Sequence, residues 1–386
     1  MPVTLAYLVT HPIHYQAPML RRVAADPDID LHVFFGSDFS TRAHVDPGFG
    51  KAVTWDVPLT EGFQHQFLAE VTPPLQPGED TSFWRPRNRG LAEQLGRFDA
   101  LWVHGYHRAF HLQSMLQAKL KGLRVLLRDE ATEVSAARSA AKQAAKRLFF
   151  AGIDRLVDRY LCIGSRNRAY YRGFGIADEK LCMMPYAVDN AAFFARADAA
   201  HGAREDLRAT LGLDQRPVIL FSGKLIPRKR PMDLVRAVAA LPAERRPWAL
   251  FAGDGELRAE IEAAAVDTVR VLGFQQQQAL PALYDLADVF VLPSEREAWG
   301  MVVNEAMTGS TAIVCSDRIG AAPDLVRPGV TGFTYPVGDV AALTRALADC
   351  VSDPDRLAAM GRASRQLIAT WDYEADVRGL RQALGL

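Results

Sequence analysis

The sequence predicts an α/β protein made of two doubly wound parallel-sheet domains. Short apolar runs alternate with segments of helical spacing in both halves, the alternation lapses once near the middle, and 386 residues exceed what one hydrophobic core usually serves. Strands that alternate with helices pair in parallel, because each return needs a crossover.

In chain order, residues 3–10 are an apolar run rich in strand formers and 17–25 carry helical spacing, joined by the loop HPIHYQAP. A second strand covers 29–35, and a Gly- and Pro-rich passage with little periodicity follows to about residue 86. Strands over 100–104 and 124–127 enclose a helix over 110–121. A long helix over 134–158 precedes a strand over 160–163, and a last helix and strand end at Pro185. Between 186 and 216 the periodicity lapses, which places the domain boundary at 190/191. The second series has strands over 218–222, 248–252, 269–272, 289–292 and 311–315. Its helices cover 232–240, 256–264 and 280–286, another opens at Trp299 or Gly300, and further helices run from 340 to the end. No heptad run, low-complexity tract or short repeat is present.

Lys plus Arg (45) equals Asp plus Glu (45), which argues against wholesale nucleic-acid binding and makes any basic surface local. Cys162, Cys182, Cys315 and Cys350 form no CxxC pair and read as buried thiols of a reducing compartment. The first residues lack a basic n-region and an h-region, and nowhere do about eighteen apolar residues run together. A cytoplasmic protein is expected.

Chemistry concentrates in VFVLPSEREAWGMVVNEAMTG, residues 289–309: strand, loop, helix. Such a loop reaches the crevice outside the carboxyl end of a parallel sheet, where the next helix presents unpaired N–H groups and a positive dipole end suited to anions. Glu297 lies in the loop and Glu305 in the helix. A glycosidase pair needs carboxyls roughly 5 to 9.5 Å apart, whereas eight helical positions span roughly 12 Å. The two glutamates therefore suit different parts of one extended ligand, and carboxylate oxygens suit vicinal hydroxyls. A second cluster, FSGKLIPRKR, follows the strand over 218–222. Gly223 permits close backbone approach, and Lys224, Arg228, Lys229 and Arg230 outline a phosphate site. The bland alternatives are exposed glutamates and a solvated basic loop.

With GKLIPRKRP, AGDGEL, VLGF, LADVFVLPSEREAWGMVVNEAMTGSTAIVCSD and DLVRPGVTGFTYPVGD in order, the second half resembles the donor-binding half of the retaining glycosyltransferases of family 4. The resemblance implies the GT-B fold: two facing Rossmann-like domains at 1–190 (acceptor side) and 191–368 (nucleotide-sugar side), with a helix at 369–386 crossing back. It also implies a nucleotide-diphosphate sugar as co-substrate, no cofactor and no metal. Glu297 would bind donor-sugar hydroxyls and Glu305 the ribose. Lys224 and Lys229, with Gly223 and Arg228 beside them, would hold the diphosphate, assisted by backbone N–H groups from Ala298 through Trp299, Gly300, Met301 and Val302. Gly273 and Phe274 match the loop whose backbone contacts the base. Two departures stand out: the family usually has Arg at position 224 and Gly at position 230. AGDGEL is a poor dinucleotide motif and needs no ligand as a turn.

The first half resembles the family more loosely. The loop after its first strand carries His11 and His14 in place of the usual glycines. His104, Tyr106 and His107 follow a later strand, and Arg128, Asp129 and Glu130 stand where many members carry a functional histidine. Glu130 or Asp129 is the expected contact with sugar or acceptor, with His104 and His107 as alternatives. The Asp-x-Asp spacings at Asp26, Asp28, Asp30 and at Asp353, Asp355 sit away from the predicted crevice and read as ordinary loop ends rather than a metal site. Arg138, Lys142 and Lys146 at four-residue steps, ahead of Leu148, Phe149 and Phe150, suggest peripheral contact with the inner membrane face, against a solvated helix face.

The implied function is metal-independent, retaining transfer of a hexose-like sugar to a glycan or lipid-linked acceptor hydroxyl in polysaccharide biosynthesis. A sugar-nucleotide epimerase of the same fold and a non-catalytic sugar-nucleotide or glycan binder are the rivals.

Overall fold

The structure, a computed structural model, describes residues 1–46, 51–53, 57–68, 83–84, 90–135 and 140–386. The chain divides into two compact units. One holds the described residues up to Tyr186, Lys51 excepted, together with Tyr373–Leu386, and the other is built on Ala187–Asp372. The unit boundaries fall after Tyr186 and after Asp372, where the lapse in periodicity placed the first at 190/191 and the family resemblance implied the second at 368/369.

The first unit contains β1 (Val3–Val9), α1 (Ala17–Ala24), β2 (Ile29–Phe35), β3 (His44–Asp46), β4 (Lys51–Val53), β5 (Gln64–Phe67), α2 (Leu91–Leu95), β6 (Ala100–His104), α3 (Ala109–Leu120), β7 (Arg124–Arg128), α4 (Ala140–Ile153), β8 (Arg159–Cys162), α5 (Ser165–Gly173) and β9 (Leu181–Met183). The second contains α6 (Asn190–His201), α7 (Arg204–Thr210), β10 (Val218–Ser222), α8 (Pro231–Ala239), β11 (Trp248–Ala252), α9 (Arg258–Ala264), β12 (Val269–Gly273), α10 (Leu280–Leu286), β13 (Val289–Leu292), α11 (Met301–Thr308), β14 (Ala312–Ser316), α12 (Ala322–Leu325), β15 (Gly332–Tyr335), α13 (Val340–Val351) and α14 (Pro354–Ile368). The last helix, α15 (Tyr373–Leu384), returns to the first unit.

Seven strands of the first unit pair in the order β5-β2-β1-β6-β7-β8-β9, and six of the second in the order β12-β11-β10-β13-β14-β15, all in parallel. The central strands are buried on both faces, which is why they read as continuous apolar runs. Both orders reverse beside the first strand, between β1 and β6 and between β10 and β13. At each reversal the outgoing loops diverge and leave a crevice at the carboxyl ends of the strands.

Some elements differ from expectation. The helix over 134–158 is shorter: a 3-10 turn spans Glu133–Ser135 and α4 spans Ala140–Ile153, while Arg138 lies outside the described residues. The helix stops where Lys180 reaches in to the Asp154 and Val157 carbonyls. The strands β5 and β15 had no clear sequence signal; both are partly exposed edge strands, so neither needs an apolar run.

Helix α15 lies on β8, β9 and α1. Gly379 permits the approach, since a Cβ there would stand 2.0 Å from the Met183 carbonyl oxygen. Arg381 pairs with Asp26 at 2.7 Å and with Asp28 at 2.8 Å, and Asp353 caps α14. These aspartates of the Asp-x-Asp spacings therefore hold structure.

Candidate active site

The second unit brings its sequence candidates together at the β10/β13 reversal. Gly223, at φ +145°, leads out of β10. The loop that follows is braced from β11: the Leu225 N–H donates to the Asp254 carbonyl at 2.8 Å, and the Leu257 N–H to the Leu225 carbonyl at 2.9 Å. A Cβ on Gly253 would stand 1.8 Å from the Gly223 oxygen, and one on Gly255 2.6 Å from the Leu225 oxygen. The two glycines of AGDGEL thus let the β11 loop support the cationic loop, a role with no ligand in it.

A 3-10 turn over Pro227–Lys229 sets the cations. Lys229 Nζ stands 2.5 Å from Glu297 Oε1, and Arg228 Nη1 stands 3.5 Å from Glu297 Oε2. Glu297 Oε1 has no directed hydrogen bond, so the Lys229 contact is a charge pair. Arg228 also donates to the Arg296 carbonyl at 3.0 Å. Lys224 is half-buried on the same loop. Arg230 leaves the cluster: its Nε donates to buried Asp233 at 2.7 Å, at the start of α8.

The Glu297 loop is clamped by the turn after β14. The Glu297 N–H donates to the Arg318 carbonyl, the Gly320 N–H to the Glu297 carbonyl, both at 3.1 Å, and the Ala321 N–H to the Trp299 carbonyl at 3.0 Å. Gly320 is required, because a Cβ there would stand 1.9 Å from the Ala298 oxygen. Sequence reasoning missed it; its one signal was a glycine shortly after an apolar strand. Gly300, at φ +100°, then caps α11, so the helix opens at Met301 and its first-turn N–H groups lie at the carboxyl end of β13.

The Trp299 side chain is turned inward, donating to Asn304 at 2.8 Å and stacking on Trp371 with centroids 5.4 Å apart. What residues 298–302 offer a ligand is therefore chiefly backbone, with Ala298, Gly300, Met301 and Val302 half-buried. Glu305 is buried and accepts from the Tyr284 hydroxyl at 2.7 Å. Burial pushes its carboxyl up to about 7, against the pull of the Tyr284 hydrogen bond. Gly273, at φ +73°, ends the edge strand β12, and half-buried Phe274 follows it.

In the first unit, buried Gln16 accepts from the Tyr7 hydroxyl at 2.7 Å and lies against the His104 ring, 3.2 Å from Nε2. Nothing in the sequence singled it out. Burial lowers the His104 imidazole to about 3, with the Arg128 charge acting the same way, and burial lowers His14 to about 4. His11 contacts Thr10 at 2.9 Å. His107 Nε2 stands 3.0 Å from Asp129 Oδ2, and Asp129 Oδ1 accepts from the Ala131 N–H at 2.7 Å. Burial opposes the Asp129 charge, but the bonds from His107 and Ala131 outweigh it and hold the carboxyl below its usual range. The His107 side chain is 60% exposed.

Three candidates are otherwise engaged. Arg128 is only 1% exposed and pairs with Asp376 at 2.8 Å beneath the Tyr186 ring, which removes it from the acceptor-side set. The Glu130 carboxylate accepts from the hydroxyls of Tyr15 at 2.9 Å and Tyr186 at 2.5 Å. Tyr106 is buried, and Lys146 donates to its hydroxyl at 3.0 Å and lies over its ring, so Lys146 leaves the basic stripe.

Residues 203–367 match the family model described as glycosyl transferases group 1. The second unit carries a glycosyl transferases group 1 domain. Over the whole chain the fold is GT-B, like that of HepE from Anabaena in its UDP complex, with a TM-score of 0.74 at 17% identity over 100% of both chains. Among curated relatives, the GDP-mannose-dependent alpha-(1-6)-phosphatidylinositol monomannoside mannosyltransferase of Mycolicibacterium smegmatis is 33% identical over 52% of this chain and 54% of its own length. The 2-deoxystreptamine glucosyltransferase of Streptomyces kanamyceticus is 32% identical over 61% of this chain and 59% of its own. The chain spans about half the length of these curated relatives.

In this group 1 domain the departure at position 230 has a visible cause. Arg230 sits at φ +50°, a left-handed conformation that glycine adopts without steric cost, and the bond to Asp233 offsets that strain. Among the described residues no helix is long and apolar enough to cross a membrane, and no three His, Cys, Asp or Glu side chains converge as a metal site.

Proposed function

We propose that the protein is a retaining, metal-independent glycosyltransferase that moves a hexose-like sugar from a nucleotide-diphosphate sugar to a hydroxyl of a glycan or lipid-linked acceptor, at the cytoplasmic face of the membrane. The observation that carries it is Glu297 at the β10/β13 reversal, between the cations Lys229 and Arg228 and the N-terminus of α11. The relatives support the donor class: one is named for GDP-mannose, and HepE was solved with UDP and with UDP-glucose.

In this reaction the acceptor oxygen attacks the anomeric carbon on the face the diphosphate leaves. The bond from that carbon to the phosphate oxygen breaks, its electron pair departs with the diphosphate, and the acceptor proton passes to the leaving phosphate. Lys224, Arg228, Lys229 and the first N–H groups of α11 are placed to take up the growing negative charge, which is differential stabilisation of the transition state. Glu297 holds sugar hydroxyls and Glu305 serves the ribose side. On the acceptor side His107 is favoured over Glu130: with its Nε2 proton directed at Asp129, Nδ1 is left to accept a hydroxyl proton in a hydrogen bond.

The test is nucleoside diphosphate release from UDP- and GDP-sugars with candidate acceptors. A transferase releases nucleotide only with acceptor, an epimerase alters the sugar without one, and a binder does neither. Near-normal turnover in Glu297→Ala would place the donor site elsewhere.

A further inference from the structure

The α3–α4 side of the first unit carries a cluster of exposed apolar side chains. Leu120 is 78% exposed, Leu148 77% and Trp84 65%, and Leu116 is also exposed. Leu112, Leu116 and Leu120 follow at four-residue steps on α3 and so share one stripe. A groove of about 760 Å³ opens among Leu112, Leu116, Leu148, Phe149, Leu156 and Trp84.

The two helices themselves carry charge of one sign. Neither α3 nor α4 contains an Asp or Glu. On α4, Lys142 and Arg147 are exposed, and Arg155 is exposed just beyond it. Lys146 is turned in over Tyr106, and the charge of Lys119 is offset by Asp158, so neither side chain is offered directly to a head group. Long aliphatic side chains and an exposed Trp standing beside cations, with no acid on either helix, fit the boundary of a negatively charged bilayer: apolar groups enter the acyl region while cations meet head groups.

We propose that this face seats on an anionic lipid bilayer, with Leu116, Leu120 and Leu148 entering the interface, acyl chains taking the groove, and Lys142, Arg147 and Arg155 meeting the head groups. It deepens the acceptor side of the proposed function and rests on that reading for its purpose. Its test needs no catalysis, so failure of docking and failure of transfer are separate results.

The test is cosedimentation of the full chain with vesicles of phosphatidylcholine alone or mixed with phosphatidylglycerol. Wild type is expected to bind the mixed vesicles, more weakly at high salt, and the neutral ones far less. Leu116→Glu with Leu148→Glu should abolish binding. Lys142→Glu with Arg147→Glu should weaken binding to mixed vesicles by about 25-fold or more, at roughly fivefold per cation. All four sites are exposed, and unchanged circular dichroism and thermal shifts with UDP and GDP verify the fold and the donor site. Absence of binding to mixed vesicles, or unchanged binding by the leucine variant, overturns the proposal. A concentration-dependent dimer that Leu148→Glu dissolves, without vesicle binding, overturns it in favour of a second copy of this chain.

Discussion

Lys229 neutralises Glu297 across 2.5 Å, joining the loop after β10 to the loop after β13. Both side chains are only 13% exposed, so little water screens the pair. Under the proposed function a diphosphate would compete for this lysine, and its arrival would free Glu297 to meet sugar hydroxyls. Glu297→Gln is therefore expected to bind UDP or GDP a few-fold more tightly than wild type while losing the added affinity for the matching nucleotide sugar. Lys229→Ala should lose roughly ten- to a hundredfold in nucleoside diphosphate affinity. Calorimetric titration checks both, and weaker nucleotide binding by Glu297→Gln would refute the competition.

Glu305 should make stability depend on pH. Its carboxyl is raised from 4.5 to about 7 in the folded protein, chiefly by burial. A raised folded value means its contribution is fully present below about 4.5 and is lost as pH rises through about 7. Glu305→Gln, a mimic of the protonated acid, is expected to gain stability over wild type between pH 5 and pH 8, by at most on the order of 3 kcal/mol. Melting temperatures of the two proteins across that range are the measurement.

Arg128 and Asp376 form a buried pair, and their side chains are 1% and 2% exposed. Removing one partner leaves the other charge uncompensated in the core, so Asp376→Ala should cost about 3 to 5 kcal/mol and loosen α15. The double variant Arg128→Leu with Asp376→Leu should recover much of that. Urea unfolding of the three proteins checks it.

Arg230→Gly removes left-handed strain worth about 1 to 2 kcal/mol but leaves the buried Asp233 carboxylate without its 2.7 Å partner. The second effect is larger, so a net loss of about 1 to 2 kcal/mol is expected. Adding Asp233→Ala should reverse its sign relative to Asp233→Ala alone, as thermal denaturation would show.

His107→Gln should slow transfer at least tenfold with nucleoside diphosphate affinity unchanged. Asp129→Asn, which reverses the proton preference at Nε2, should slow it similarly and shift the His107 tautomer seen by nitrogen NMR. Slow transfer with an unshifted tautomer would leave Asp129 a packing role alone.

Much of the fold was legible because β1, β6, β10 and β13 are buried on both faces and so are written as apolar runs. The edge strands β5 and β15 were not, since half their side chains face outward. The strand-loop-helix around Glu297 is local in sequence, and so was its place at a sheet's carboxyl edge. Its pairing with Lys229 was not local, and neither was the bracing of both loops by Gly253, Gly255 and Gly320, whose missing side chains matter only because a neighbouring carbonyl oxygen stands 1.8, 2.6 and 1.9 Å from where each Cβ would be.

Arg128, Asp129 and Glu130 show the division most clearly. From the sequence they are three adjacent charged residues after one strand. The tertiary structure gives Arg128 to Asp376, 248 residues away, Asp129 to His107 and Glu130 to two tyrosines. Periodicity and turn chemistry are local, so the sequence alone determined which segments become strands and helices and which loops reach the sheet edges. Whether a charge is buried, and which partner satisfies it, depends on what the topology brings alongside, and only the folded chain decides that.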